Sequence, residues 1–212
     1  MKGQRITLLG LVAAAAAASF AAGCGEVSRT GRAPAQLVIV SLTAASGAEP
    51  SEFGGTLRSD VQTMVKRTIG GQQVEVPVVF NDLGEVQIRL QLRDLGIPGV
   101  PSSPSTLNEV TINRYRVVYR RADGRNQPGV DVPYPFDSAV TFTVSGAGTA
   151  TAGFEIVRHT AKEEAPLRAL ISNGVIISTI AEVTFYGADQ AGNEVSVSGF
   201  IGISFGNFAD PE

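Results

Sequence analysis

The chain has 212 residues and a formal net charge of −3, from 17 lysines and arginines against 20 aspartates and glutamates. This mildly acidic balance, with no basic tract, argues against nucleic acid as a partner and against adsorption on anionic lipid. A single cysteine and a single histidine exclude an internal disulfide and any metal site built from several of these residues. Frequent β-branched and aromatic residues, with 24 glycines and 11 prolines, favour a β-rich fold.

Residues 1–23 have the layout of a secretory signal. Lys2 and Arg5 supply a positive start, residues 6–23 carry no charge, and small residues crowd the end. A transmembrane helix is the rival interpretation of such an uncharged segment. Leu8, Leu9, Leu11 and Val12 lie in one short block followed by small residues, however, which favours a cleaved signal peptide.

The only cysteine, Cys24, directly follows the small residues 21–23. This segment resembles the lipobox of bacterial lipoproteins, although Ala21 stands where that family most often has leucine. The resemblance implies that the Cys24 thiol takes a diacylglyceryl group with palmitate-like chains, and that cleavage before Cys24 makes it the first residue of the mature chain. Gly25 stands where the family's inner-membrane retention signal has aspartate, so the resemblance implies the outer membrane, on its periplasmic or surface face. A free or buried thiol at Cys24 is the alternative.

The remaining chain divides into a tether and a folded part. Residues 24–35 are small and polar and are predicted to form a lipidated tether. Residues 36–208 are predicted to form a β-sandwich. A proline- and serine-rich segment near residues 94–108 is either a long crossover loop or the boundary between two small sandwiches.

The strand predictions rest on alternation. The clearest case is residues 85–93, "EVQIRLQLR", where apolar and polar residues alternate with the period of a half-buried strand. Pro77 marks its strand as an edge or a bulge, and Pro166 limits the one helix-like segment, residues 161–170. With no βαβ rhythm and no repeat, the chain is predicted to be an all-β, antiparallel sandwich. The other predicted strands are residues 36–44, 73–80, 109–121, 139–145, 152–160, 174–186 and 194–205.

Residues 183–205 read "VTFYGADQAGNEVSVSGFIGISF". They resemble the last hairpin of bacterial immunoglobulin-like and fibronectin type III-like domains, which often carry D-x-A-G-N between two strands. Asp189 can bond its own backbone and Gly192 can adopt positive φ, as such a turn requires. The resemblance implies an immunoglobulin-like sandwich and implies little about function, because that fold has many functions.

Few residues suggest catalysis. His159 has no second histidine for a relay or a metal site, and we interpret it as a surface residue. Glu163 and Glu164 are interpreted as a solvated turn. No G-x-S-x-G motif stands at a predicted strand-to-helix turn, as a nucleophile elbow requires, and neither a P-loop nor a G-x-G-x-x-G motif follows a predicted strand. We therefore predict no catalytic residue, no cofactor and no metal. Calcium is a minor alternative at Asp123, Asp131, Asp137 and Asp189, whose spacing does not match an EF-hand loop.

The most unusual segment is residues 114–137, "RYRVVYRRADGRNQPGVDVPYPFD". It is predicted to begin as an arginine-bearing strand and to continue into a proline-stiffened loop at one end of the sandwich, where binding sites usually lie. The alternative is a purely structural loop whose aromatic residues plug the core and whose arginines pair with acidic groups. The residues predicted to bind a partner are Arg121, Asp123, Arg125, Asn126, Asp131, Tyr134 and Phe136.

Three functional hypotheses follow. The first is a non-catalytic, lipid-anchored cell-envelope protein that binds a protein partner or serves as a structural accessory component. The second is a surface adhesion or glycan-binding module. The third is an enzyme, which would need a pair of carboxylates lining a cleft. The expected partners are the membrane, through the lipid, and an envelope protein or a glycan, with no nucleic acid.

Overall fold

The computed structural model of the chain describes residues 33–146 and 148–208. The predicted signal peptide, Cys24 and most of the predicted tether lie outside the described residues. No helix in the described part of the chain is long and apolar enough to cross a membrane. The strands are β1 (Ala35–Ala45), β2 (Thr56–Asp60), β3 (Thr63–Ile69), β4 (Gln72–Val78), β5 (Asp82–Leu92), β6 (Gly96–Ile97), β7 (Val100–Pro101), β8 (Val110–Arg120), β9 (Phe136–Val144), β10 (Thr149–Val157), β11 (Ile177–Asp189) and β12 (Glu194–Gly206).

Two main sheets form a sandwich. The smaller sheet has the order β1-β5-β10, and the larger has the order β2-β12-β11-β8-β9. Every neighbouring pair is antiparallel except β2 and β12, which run parallel. The predicted all-β sandwich is confirmed.

The alternating pattern of β5 places its apolar side chains in the core. Val86, Ile88 and Leu90 are buried, whereas the residues between them lie at the outer face. The same core contains Ala35 from the beginning of the fold and Phe205 from its end.

Two tyrosines of β8 connect the sheets. The Tyr115 hydroxyl donates to the backbone carbonyl of Glu155 at 3.0 Å, and the Tyr119 hydroxyl donates to that of Ile156 at 2.7 Å. Because β8 and β10 belong to opposite sheets, these bonds fix the spacing between them. Burial raises the pKa of both tyrosines, so their hydroxyls remain protonated donors.

The segment between β5 and β8 contains the small hairpin of β6 and β7 and a 3₁₀ helix, Thr106–Asn108. Strands from both sides of this segment share the main sheets. Strand β5 pairs with β10, and β2 pairs with β12. One buried core therefore contains residues from both sides of the segment.

A second hairpin lies outside the main sheets. Strand β4 matches the predicted strand at residues 73–80 and pairs only with β3, so Pro77 lies in a two-stranded hairpin. The sequence pattern does not predict β2 or β3. Polar residues interrupt residues 56–69, and most side chains of β3 are exposed, so no sustained alternation marks it.

The predicted last hairpin is confirmed. Strands β11 and β12 pair from Ile177 to Ala188, and the turn between them is held by Asp189. Its Oδ1 accepts hydrogen bonds from the backbone N–H groups of Ala191 at 2.9 Å and Asn193 at 2.8 Å. Gly192 has φ +82°, which a residue with a side chain rarely adopts.

The predicted helix-like segment is two short pieces. Helix α1 (His159–Lys162) directly follows β10, and a 3₁₀ helix, Leu167–Ile171, follows Pro166. Leu167 and Leu170 are buried in the main core. The segment therefore packs against the end of the sandwich, beside the loop that joins β8 to β9.

Candidate functional site

The loop from β8 to β9 begins with a turn organised by Asp123. The Asp123 carboxylate lies 2.6 Å from Arg121 Nη2 and accepts the backbone N–H of Arg125 at 3.1 Å. The hydrogen bond from Arg121 lowers the pKa of Asp123 to about 2, so the carboxylate stays ionised at neutral pH. Arg125 Nε lies 3.3 Å from the same carboxylate.

The next part of the loop also uses its polar groups internally. Asn126 Oδ1 accepts the backbone N–H of Arg121 at 2.6 Å, and Asp131 Oδ2 accepts that of Gln127 at 3.2 Å. Five of the seven predicted binding residues, residues 121, 123, 125, 126 and 131, thus lie in one self-bonded turn. This geometry fits the structural alternative for these polar groups.

Tyr134 is exposed and held in place by the loop itself. Its side chain packs on Gly129, where a Cβ atom would overlap the tyrosine ring. Gly129 has φ +75°, a second reason for glycine at this position. Pro133 and Pro135 restrict the backbone on either side. The residue remains 58% exposed, and its hydroxyl forms no hydrogen bond with any other residue that the structure describes.

Phe136 differs from the sequence-based prediction. It was predicted to lie in the loop, but it is the first residue of β9, which begins three residues before the predicted strand at 139–145. Pairing with Val117 of β8 draws it into the sheet. Its half-buried ring contacts Tyr115 edge-on at a centroid distance of 6.1 Å, and the Arg158 guanidinium lies 3.9 Å above the ring centroid.

Tyr134 and Phe136 line a cavity of about 150 Å³. Residues 133–136 form one wall, and Arg158, Thr160 and Glu164 contribute to the other. We call this cavity, with these seven residues, the proline-aromatic cleft. Two aromatic residues of the first wall are among the predicted binding residues, whereas no residue of the second wall is.

A buried ion pair positions the second wall. Lys162 Nζ lies 2.7 Å from Asp82 Oδ1, and the two side chains are 1% and 0% exposed. Ser59 Oγ and the backbone N–H of Gly47 also donate to the Asp82 carboxylate, at 2.6 and 3.0 Å. Burial still raises the pKa of Asp82 above its ordinary value, since desolvation outweighs these donors.

His159, the first residue of α1, adds a second attachment. The backbone N–H of His159 donates to Asn81 Oδ1 at 2.6 Å, and His159 Nδ1 lies 2.9 Å from the same oxygen. His159 is exposed, as predicted. Since Asn81 and Asp82 are adjacent at the start of β5, they hold α1 at two points.

The four aspartates considered for calcium are bonded to the protein itself. Asp123 and Asp137 pair with arginines, and Asp131 and Asp189 accept backbone N–H groups. Residues 33–146 and 148–208 contain no group of three or more histidine, cysteine or acidic residues placed to hold a metal ion.

Two larger clefts lie elsewhere on the sandwich. One, of about 510 Å³, lies at the open side between β9 and β10 and includes Tyr115, Phe154 and Glu155. The other, of about 390 Å³, lies beside the β11–β12 hairpin and includes Tyr186 and Glu194. A single carboxylate lines each of these two clefts and the proline-aromatic cleft.

Comparisons with known proteins found no family model, no curated protein and no solved structure that matches this chain.

Proposed function

We propose that this protein is a non-catalytic, lipid-anchored component of the bacterial cell envelope that binds a partner protein through the proline-aromatic cleft. The observation that carries the proposal is Tyr134, which is 58% exposed yet fixed by Gly129 and two flanking prolines beside a cavity. Tyrosine and arginine are enriched among the residues that dominate binding energy at protein interfaces.

The ordering cost at this cleft is low. Prolines 133 and 135 restrict the loop, and the Asp82–Lys162 pair fixes the opposite wall. A surface that is already ordered loses less conformational entropy on binding and so gains affinity. This favours recognition of a partner over a flexible, purely connecting loop.

The non-catalytic assignment is supported by the linings of the three clefts. None of the three contains a pair of carboxylates, and none contains His159. The anchor is supported by the resemblance of residues 21–24 to a lipobox, and two or more acyl chains give stable attachment.

The direct test is site-specific photo-crosslinking in cells. We expect benzoyl-phenylalanine at Tyr134 to form a discrete crosslinked product with an envelope protein. The same group at Ile69, which is 59% exposed on the β3–β4 hairpin, provides the matched control. Identical products at both positions, or none at Tyr134, would contradict the proposed interface.

Two further measurements test the anchor and its side of the membrane. A clickable palmitate analogue should label the wild-type chain and not the Cys24→Ser variant. An impermeant protease added to intact cells should spare the protein if its partner is periplasmic. Loss of the domain from intact cells, with a periplasmic marker intact, would place the cleft outside and favour adhesion.

A further inference from the structure

Arg158 is the one charged group of the proline-aromatic cleft that packs on an aromatic ring. Its guanidinium lies 3.9 Å above the Phe136 centroid, and its Nη2 donates to the backbone carbonyl of Asp137 at 2.9 Å. Within the described part of the chain it forms no salt bridge. The nearby arginines differ, because each lies within 4 Å of an aspartate: Arg114 and Arg116 beside Asp137, and Arg121 and Arg125 beside Asp123.

The stacked position leaves most of the donors of Arg158 available. A guanidinium carries five N–H groups in its own plane, and an aromatic ring occupies only the face of that plane. One of these groups is used by the Asp137 carbonyl. The remaining edge has the fork geometry that matches the two oxygens of a carboxylate.

Thr160 lines the same cavity, and its side chain forms no hydrogen bond with another described residue. Tyr134 lines the cavity as well, but its hydroxyl lies against Gly129. A hydroxyl can donate as well as accept, whereas an ionised carboxylate only accepts. An acceptor that enters the cleft can therefore be contacted by Thr160 as well as by Arg158.

From this geometry we infer that the cleft binds the carboxylate of an acidic side chain on the partner, with Arg158 as the pairing group. The inference rests on the function proposed above. A cavity of about 150 Å³ is about the size of an engineered protein cavity that holds one benzene molecule, which suits a single side chain. An exposed tyrosine beside an arginine is also typical of protein interfaces.

Glu164 restricts the choice further. Its exposed carboxylate lies in the lining of the same cavity, so it repels a second negative charge on the ligand. It can instead accept an N–H group from the backbone beside the bound side chain. We therefore expect an isolated glutamate or aspartate to bind better than a run of acidic residues.

The test uses short peptides and the purified, isotopically labelled full-length chain in detergent. We expect Ac-Gly-Glu-Gly-NH₂ to produce saturable NMR shifts at the amides of Phe136 and Ala161. Ac-Gly-Gln-Gly-NH₂ should produce none, since it lacks the charge. Absence of saturable shifts with the glutamate peptide, or equal affinity for both peptides, would overturn the inference.

Three variants locate the carboxylate. Arg158→Gln should weaken binding of the glutamate peptide about tenfold or more, and Arg158→Lys should weaken it less, because lysine keeps the charge without the fork. Glu164→Gln should strengthen it. Arg168→Gln, at an exposed arginine outside the cleft, is the matched control and should change nothing. An unchanged affinity in both Arg158 variants would show that Arg158 is not the group that pairs with the carboxylate.

The source of the carboxylate is tested with glucuronate. Binding of glucuronate in preference to the glutamate peptide would replace the protein partner with a glycan and overturn the inference. Failure here is distinguishable from failure of the proposed function. A specific crosslink at Tyr134 without peptide binding would support the proposed interface and contradict only the inference that it binds a carboxylate.

Discussion

Asp82 is the residue on which the second wall of the cleft depends. Three donors meet its carboxylate, and they come from the β1–β2 connection, β2 and α1. Such a pair adds little net stability when complete, because both charges have lost their water. Removing one partner is costly, because the other charge remains buried.

We predict that Lys162→Met lowers the free energy of unfolding by about 3–5 kcal/mol at neutral pH. The same substitution at Lys66, which is exposed on β3, is the control and should cost less than about 1 kcal/mol. Urea unfolding of both variants gives the comparison. Equal losses of unfolding free energy in the two variants would show that leaving Asp82 without its buried partner carries no extra penalty.

The cost of Lys162→Met should also depend on pH. Asp82 already has a pKa above its ordinary 3.8, and loss of the lysine removes the main group that lowers it. Below pH 3.8 the carboxyl is neutral in both the folded and unfolded states. The penalty therefore grows as pH rises from there through the folded-state pKa, and unfolding measured at about pH 4 should show a smaller cost than at about pH 7. A cost that is the same at both pH values would contradict the explanation.

At the scale of elements, the β8–β11 pair contains a bulge that requires glycine. The register of β8 shifts between Ile112 and Arg114, opposite Gly187 of β11. A Cβ atom at Gly187 would overlap the backbone oxygen of Thr111 and lie 2.9 Å from Ile112 Cα. Backbone atoms cannot move aside as the end of a side chain can.

We predict that Gly187→Ala lowers the free energy of unfolding by about 1–3 kcal/mol. Gly202 of β12 is the matched control, since its nearest contact would be an ordinary one, 3.6 Å from Thr56 Cγ2. Gly202→Ala should be neutral or stabilising by up to about 1 kcal/mol. Thermal or urea unfolding of the two variants separates the effect of steric overlap from that of intrinsic strand propensity. A larger loss of unfolding free energy in Gly202→Ala than in Gly187→Ala would refute the role of the bulge.

Strands in which apolar and polar residues alternate could be predicted from the sequence. Segments whose position depends on contacts with residues far away along the chain could not. The alternation in "EVQIRLQLR" predicts which face of β5 is buried, and Asp189 and Gly192 predict the β11–β12 turn. Lys162 looks like part of a solvated turn, because the carboxylate that buries it lies 80 positions away along the chain. For the same reason Arg158 was missed while Phe136, its stacking partner, was identified.

At the scale of the whole molecule, each main sheet contains strands from both the early and the late part of the chain. Strand β5 pairs with both β1 and β10, and β2 joins the sheet that contains the last strand, β12. Neither half of the chain can therefore complete a sheet alone. The proline- and serine-rich segment crosses between sheets of one sandwich.

We predict that the full chain unfolds in one transition, with equal calorimetric and van't Hoff enthalpies. A flexible insertion at Gly99, in the exposed β6–β7 turn, should leave the transition single, because doubling a loop costs only about 0.6 kcal/mol. The same insertion after Gly153, inside β10, is the control and should abolish the transition. Two separate transitions in the unmodified chain would show that the halves fold independently.

The position of β1 has a mechanical consequence. The described chain enters the fold through this strand, which pairs with β5 from Ala35 to Ala45. The hydrogen bonds of an antiparallel pair are perpendicular to the strands, so tension applied along β1 from its N-terminal end loads them in shear and not one at a time. A domain tethered at that end and pulled by a bound partner would resist extension until the whole β1–β5 ladder gave way.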